Sequence, residues 1–327
     1  MTKNKDKPLS PAGLKMVSLR SRKSKVDVRH FGRAVPASSA LAGWVASLPA
    51  ILAGRDFQEL LQRMASARRR KKGLIFGLGA HVIKVGLNPV LIDLMKRGWI
   101  TALAMNGACI IHDFEIAYCG RTSEDVGQHI GTGRFGMARE TGEHLCRAVS
   151  RAAAEGLGLG ASVGRMIASS SWPYRKLSLL GTAFQLGLPA SVHVAVGTDT
   201  IHFHPRMDGA ALGQTSLSDF FLLCSHLRKL DGGGVFINCG SAVILPEVFL
   251  KAVTFVRNQG FPLEGLVTAV FDFQRHYRPL QNVVLRPVGR KGKGYYFVGH
   301  HEIMLPLLAA GLKSTPFSSF LFRRNRA

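Results

Sequence analysis

The sequence is poor in acidic residues, and it has no long apolar run. Twenty Asp and Glu residues stand against 43 Lys and Arg among 327 residues, which gives a formal net charge of +23. No stretch of about 18 residues is free of Gly, Pro and charge, so we predict no membrane span. The basic N-terminus also lacks the apolar segment of a secretory signal, and we therefore expect a cytoplasmic protein.

The cysteines show no metal-binding or disulfide spacing. All five are scattered and none forms a Cys-x-x-Cys pair, which excludes the common zinc motifs and a disulfide framework. Free thiols in this number favour a reducing compartment, in agreement with a cytoplasmic location.

The basic residues are concentrated in a few segments of the chain. Residues 1–40 are rich in Ser, Lys, Arg and Pro, and we predict a disordered basic arm that makes non-specific contacts with polyanions. A second basic block spans Arg68–Lys72. Residues 41–315 are predicted to form one Rossmann-like domain, and residues 316–327 form a basic C-terminal tail. No known nucleic-acid-binding module accompanies the charge, so we do not expect nucleic-acid docking to be the main function.

Short apolar segments alternate with helical patterns some six times after residue 73. This alternation predicts an α/β fold, with a Rossmann-like parallel sheet and helices on both faces. Small or ionisable residues follow nearly every predicted strand, namely Gly79, Asn106, Thr198, Ser241, Asp272 and His300. Because parallel strands end at the same edge, these residues predict a ligand crevice there.

The stretch Val192–Pro205 has the densest group of ionisable residues. An apolar run ends at Gly197, and Asp199, His202 and His204 follow within a few residues. Asp199 as a turn cap, with the histidines bonded to backbone carbonyls, is the ordinary interpretation. Such clustering at a strand end favours a catalytic site, with His202, His204 and Asp199 as candidates.

Two further strand ends are candidates for a cofactor site. The strand at 74–76 runs into Gly79, Ala80 and His81, a strand–glycine turn that is typical of a phosphate site although the full G-x-G-x-x-G spacing is missing. A simple turn is the alternative. Asn106 and Gly107 follow the next strand. A helix that begins near His112 would place Asp113 in its first turn, either as a cap or in a pocket.

At these positions the chain resembles the deoxyhypusine synthase family over most of residues 73–312. Residues 75–86 are similar to its Gly-Tyr-Thr-Ser-Asn segment, and residues 104–113 to its Thr-Thr-Ala-Gly-Gly-x-Glu-Glu-Asp motif, with Asp113 on the last acid. Residues 196–205 are similar to its Ser-Leu-Gly-Asp-x-x-Phe-Phe-His segment. Asp199 and His204 thereby match the polyamine-contacting Asp and His.

The resemblance implies an NAD-binding Rossmann-like fold in a homotetramer with sites at subunit interfaces. It implies oxidation of an amine by NAD, followed by transfer of an aminobutyl group through a lysine imine. The residues that it assigns to the cofactor, together with the strand-end candidates, are Gly79, Ala80, His81, Asn106, Gly107, Asp113, Thr268, Asp272, Gly299 and His300.

The chain departs from that family at the catalytic lysine. Arg286 or Pro287 occupies the lysine position, and an arginine stays protonated and cannot form the imine. Ile111 and His112 replace the two Glu of the acidic motif. We therefore expect an NAD-dependent enzyme that transfers hydride from a small amine-type substrate, or an aminoalkyl transferase that does not make deoxyhypusine. His112, His202 or His300 would act as the base.

Two alternatives remain open from the sequence. A metal-dependent hydrolase would use His202 and His204 as ligands, since neighbouring imidazoles suit zinc. A non-catalytic ligand-binding protein would use its basic arm for its function.

Overall fold

The computed structural model describes residues 10–314 of the chain. The predicted basic tail, residues 316–327, lies outside the described residues, as does the beginning of the predicted arm. The strands are β1 (Ser24–Asp27), β2 (Leu74–Leu78), β3 (Ala102–Asn106), β4 (Arg121–Glu124), β5 (Ala190–His193), β6 (Val235–Cys239), β7 (Val267–Asp272) and β8 (Lys293–Val298).

Helices connect the strands of the sheet. They are α1 (Ser39–Ala46), α2 (Leu52–Arg69), α3 (His81–Lys84), α4 (Asn88–Lys96), α5 (Gly107–Cys119), α6 (Val126–Ile130), α7 (Arg139–Ala154), α8 (Leu159–Ala168), α9 (Leu179–Gln185), α10 (Gly209–Leu227), α11 (Ile244–Asn258), α12 (Tyr277–Pro279) and α13 (His301–Ser314), with a π-helical segment at Leu280–Leu285. Within residues 10–314, none of them is both long and apolar enough to cross a membrane.

Six parallel strands form the central sheet in the order β5-β3-β2-β6-β7-β8. Counted along the chain, this is the order 3-2-1-4-5-6 of the Rossmann fold. The order reverses between β2 and β6, and the crevice beyond the carboxyl ends of these strands is where such folds bind ligands. The predicted Rossmann-like α/β fold is confirmed.

The side chains of each central strand point alternately into two apolar layers. Phe76 and Ile237 belong to the larger layer, which α2, α4, α5, α7, α8, α9 and α13 cover. Ile75 and Phe236 belong to the smaller one, which α10, α11 and the π-helical segment cover. Because both faces are buried, the strands are continuous apolar runs rather than alternating ones. This explains why the sequence predicts a parallel sheet with two helical layers.

Local capping sets the ends of α5, the helix on which the site is built. It begins at Gly107 rather than near His112, because the side chain of Asn106 accepts a hydrogen bond from Cys109 N (3.2 Å). It ends at Gly120, which adopts φ 70° and donates its N–H to Ile116 O. The early start places His112 and Glu115 inside the helix, beside the carboxyl edge of the sheet.

The described part of the predicted arm is folded. β1 pairs antiparallel with β4, and Leu19, only 1% exposed, donates its backbone N–H to Glu140 Oε2 (2.6 Å). The guanidinium of Arg22 is buried against two carboxylates. The prediction of disorder over residues 1–40 is therefore wrong for residues 19–27, because the pairing of β1 and the buried ion pairs of Arg22 hold them against the domain.

Candidate active site

A cavity of about 190 Å³ lies at the carboxyl edge of the sheet, between α5, α7 and residues 198–204. Three of the four predicted catalytic residues line it, namely His112, Asp199 and His204. Lys84, from α3, supplies a cation to the same cavity. The fold thus brings together three residues that the strand-end pattern predicted and that are distant from one another in the sequence.

Asp199 is held against the first residue of α5. A Cβ added at Gly107 would come within 2.1 Å of Asp199 Oδ2, so the absence of a side chain there makes room for the carboxylate. This Oδ2 is buried and has no hydrogen-bond partner among the described residues. Burial raises the pKa of Asp199 to about 6. A buried carboxylate oxygen without a partner is costly, and a cationic ligand in the cavity would satisfy it.

His112 belongs to a chain of hydrogen bonds that fixes its tautomer. Thr122 Oγ1 donates to Glu115 Oε2 (2.5 Å) and therefore accepts from His112 Nδ1–H (2.7 Å). The Nε2 atom consequently keeps its lone pair. Burial lowers the pKa of His112 to about 4, so the free ring is neutral at physiological pH. A neutral imidazole in this tautomer offers Nε2 as a hydrogen-bond acceptor.

A buried ion-pair network supports this histidine. Arg22 Nη2 lies 2.7 Å from Glu115 Oε2, and Arg22 Nη1 lies 3.3 Å from Glu124 Oε1. Thr141 Oγ1 donates to Glu115 Oε1 (3.0 Å). Sequence reasoning missed these residues. Glu115 had a signal, since it is an acid inside an otherwise apolar helix, whereas nothing local distinguishes Arg22 from the other cations of the arm.

His204 depends on a glycine for its position. A Cβ at Gly142 would come within 2.1 Å of His204 Cδ2, so α7 leaves space for the ring. The Nδ1 atom accepts a hydrogen bond from Arg206 N (3.2 Å), and burial lowers the pKa of the imidazole. His204 is therefore neutral and fixed at the wall of the cavity.

His202 has a structural role instead of the predicted catalytic one. Its Nδ1 accepts hydrogen bonds from Gly197 N (3.0 Å) and Asp199 N (3.2 Å), which closes the turn that carries Asp199. Its Nε2 lies 3.7 Å from Asp199 Oδ2, and the ring does not line the cavity described above. The ring therefore positions Asp199.

The hydrogen bonds that His202 and His204 accept from the backbone also argue against a metal-dependent hydrolase. His202 and His204 each use Nδ1 on a backbone N–H. Within residues 10–314, no group of three His, Cys, Asp or Glu side chains is arranged to hold a metal ion. The hydrolase interpretation of this cluster is therefore not supported.

A second group of predicted residues lies at the β2–β6 switch point. The ring of His81 has its centroid 5.6 Å from that of His301 and 6.0 Å from that of Phe273. His301 is buried, and its Nδ1 has no hydrogen-bond partner among the described residues. Asp272, at the end of β7, accepts from Gln274 N (3.3 Å). These residues lie at the carboxyl edge of the sheet near the switch point, where Rossmann folds in general bind ligands.

The other predicted cofactor residues at this edge have local structural reasons for their identity. Gly79 is a glycine because a Cβ there would lie 2.0 Å from Gly240 O, and Ala80 precedes α3. Asn106 caps α5, and Gly107 accommodates Asp199. Gly299 and His300 follow β8, and His300 is exposed. All of them lie at the predicted edge.

Asp113 and Thr268 do not face a ligand site, contrary to prediction. Asp113 is fully buried and accepts hydrogen bonds from Ser178 Oγ (2.5 Å), Leu179 N (2.8 Å) and Leu180 N (3.0 Å), which anchors the start of α9. Burial raises the pKa of Asp113 to about 6. Thr268 is also fully buried and donates to Val283 O (2.7 Å). Both hold helices in place.

The lysines beside the family's lysine position are remote from the cavity. Lys293 begins β8 and Lys291 precedes it, so both lie at the amino-terminal edge of the sheet. Arg286 donates to Asn282 Oδ1 (2.9 Å) on the π-helical segment. None of these residues lines the cavity that contains Asp199.

Comparisons with known proteins give a fold and no family. No protein-family model and no curated protein matches this chain. A mutant of AgrE in binary complex with L-arginine is 14% identical with a TM-score of 0.50, over 85% of this chain and 34% of that chain. AgrE in ternary complex with ornithine and NAD⁺ is also 14% identical, with a TM-score of 0.48 over 85% of this chain and 34% of that chain.

A third solved structure is of ArgZ, an arginine dihydrolase from the ornithine–ammonia cycle in Cyanobacteria. It is 15% identical with a TM-score of 0.49, over 80% of this chain and 33% of that chain. This chain spans about one third of the length of AgrE and ArgZ. At this identity, the likeness to the arginine complex of AgrE shows a common Rossmann-like fold alone.

Proposed function

We propose that this protein is an enzyme that binds a nicotinamide dinucleotide at the switch point and oxidises a small amine-type substrate in the adjacent cavity. The observation that carries the proposal is that one cavity holds both a neutral His112 and the buried, unpartnered carboxylate oxygen of Asp199. A base and an anion are the two groups that oxidation of an ammonium substrate requires of the protein.

The strand ends around the switch point fit a dinucleotide. Gly79–His81 follow the first strand of the sheet, and Asp272, Gly299 and His300 follow the last two. His301 contributes a buried ring nitrogen without a partner. His81 lies at this crevice and Lys84 at the cavity, so the short helix α3 joins the two regions. When bound, the nicotinamide would supply a two-electron acceptor.

Asp199 and His112 have separate roles in the remaining steps. Asp199 holds the ammonium group of the substrate, and His112 Nε2 accepts one proton from that nitrogen. A bound nicotinamide would accept the hydride from the carbon next to the nitrogen, and Asp199 would pair with the iminium product. Glu115, acting through Thr122, stabilises the protonated form of His112.

The proposal retains the oxidative half of the chemistry that the resemblance to deoxyhypusine synthases implies. Aminoalkyl transfer through a lysine imine is not part of it, because Arg286 occupies the lysine position and the nearby lysines lie at the other edge. A homotetramer and a cytoplasmic location remain predictions.

Calorimetric titration with NAD⁺ and NADH tests the cofactor. Binding of either form is expected, and the absence of binding of both at millimolar concentration would end the proposal. Amines and amino acids are then screened for NADH formation. His112→Gln is expected to lower kcat by about 10²–10⁴-fold. Asp199→Asn is expected to raise KM, while the exposed His30→Gln serves as the control and leaves both parameters unchanged.

A further inference from the structure

The amino-terminal edge of the sheet, opposite the cavity, has a large excess of cations. Five Lys and Arg residues lie in the block 68–72 before β2, two in 228–229 before β6, and three in 290–293 at the start of β8. Asp231 and Glu264 are the acids of the segments that enter β6 and β7. These basic blocks, together with the glycine turn at 232–234, are called the amino-edge surface below.

Two cations lie directly on the glycine turn. Gly232 and Gly233 adopt φ 77° and 98°, which side chains rarely tolerate. A Cβ at Gly233 would lie 2.6 Å from Arg70 Nη2, and one at Gly232 would lie 3.0 Å from Lys72 Nζ. Arg70 Nη1 also donates to Gly232 O (2.6 Å). The turn thus brings the β2 and β6 entries together and places their cations side by side.

Among residues 10–314, Arg70 and Lys72 form no ion pair with an acid, whereas Lys291 does. Glu264 pairs with Lys291 (3.0 Å), and Asp231 Oδ1 accepts from Glu264 N (2.7 Å). Arg70 and Lys291 line an open cavity of about 350 Å³, together with Gly232 and Gly233. Glu264 lines the same cavity, so the repulsion that an anion would relieve is that between Arg70 and Lys72 on the glycine turn.

We propose that the amino-edge surface binds the phosphate backbone of a nucleic acid. The entries of β2, β6, β7 and β8 are adjacent, and strands about 4.8 Å apart place the outer two about 14 Å from each other. Cations spread over that distance suit a series of phosphates rather than one phosphate group.

The amino-edge surface lacks exposed apolar side chains, and this bears on the class of polyanion that it binds and on the mode of binding. Among residues 10–314, none of the exposed large hydrophobic side chains comes from the segments 68–73, 228–234, 263–266 or 289–293. A membrane-binding surface usually inserts such side chains, and a base-reading surface stacks bases on aromatic rings. Backbone contact without sequence preference is therefore the mode that fits this surface.

Fluorescence anisotropy with a labelled oligouridine tests the proposal on the full chain. The variant is Arg70→Gln with Lys72→Gln, and the charge-matched control is Arg147→Gln with Lys176→Gln on a different part of the surface. We expect the variant to lose about tenfold in affinity. Its slope of log K against log salt should fall by about 1.4, since each phosphate contact on a single strand contributes about 0.7. The control should keep the wild-type slope.

Three results would overturn the proposal. Equal losses in the variant and the control, or no binding of oligouridine by the wild type, would show that the charge acts diffusely or not at all. Loss of binding to phosphatidylserine vesicles with unchanged RNA binding would assign the surface to membranes. NADH titration of the same variant should be unchanged, so this test and that of the proposed enzyme have separate outcomes.

Discussion

Asp199 Oδ2 lies only 2.1 Å from the position that a Cβ atom at Gly107 would occupy. The carboxylate comes from the segment after β5, and Gly107 begins the helix after β3. The two strands are neighbours in the sheet, so the contact exists only once their parallel pairing has formed. The position of the cavity's unpartnered anion therefore depends on a glycine distant from it in the sequence.

Gly107→Ala should displace Asp199 and destabilise the fold. Forcing a methyl group into this contact should lower the free energy of unfolding by about 1–3 kcal/mol, measured by urea denaturation. Gly209→Ala is the matched control, because Gly209 also begins a helix and nothing lies within 4 Å of its added Cβ. That substitution should be neutral or stabilise by about 0.5–1 kcal/mol. Equal effects of the two would contradict the proposed contact.

Thr122→Val should disconnect His112 from Glu115. The hydroxyl accepts from one and donates to the other, so its removal leaves two buried polar groups without partners and costs about 1–3 kcal/mol. Thr122→Ser keeps the hydroxyl and should retain most of the stability. In an assay of amine oxidation, the Val variant should lose kcat with little change in KM. A Ser variant as impaired as the Val variant would argue against the relay.

Arg22→Gln should be severely destabilising, although residue 22 lies in a basic, Ser-rich segment. It leaves Glu115 and Glu124 buried without their cation, and breaking such a pair costs about 3–5 kcal/mol. Lys25→Gln removes an exposed pair with Asp125 and should cost at most about 1 kcal/mol. Urea denaturation of both variants measures the difference. A mild effect of Arg22→Gln would mean that the segment is not anchored by this residue.

The stability conferred by His193 should depend on pH. Burial lowers the pKa of His193 to about 4 from an ordinary 6.5, so the folded state holds the ring neutral. Its contribution is complete above the unfolded pKa and is lost as the pH falls toward the folded one. Between pH 7 and pH 5, wild type should therefore lose about 2 kcal/mol relative to His193→Gln. A constant difference in unfolding free energy over that range would refute the shift.

Patterns of single segments were enough to predict the sheet. The apolar runs at β2, β3, β6 and β7 are continuous because both faces of each strand are buried, and such runs are visible without tertiary information. The strand-end argument predicted that Asp199 and His204 lie at the carboxyl edge of the sheet, where both line the cavity, since the ends of parallel strands share that edge by geometry. The same argument could not distinguish a residue that faces the cavity from one that closes a turn, as His202 does.

The sequence by itself determined the layers of this protein and the edge at which its ionisable residues gather, because these follow from hydrophobic periodicity and chain direction. Only the tertiary structure decided which charges are buried and paired. Arg22 resembles its solvated neighbours until β1 pairs with β4, and Asp113 becomes the anchor of α9 only when Ser178 is brought to it. Partners distant in the chain set the environment of each charge, and no local pattern encodes them.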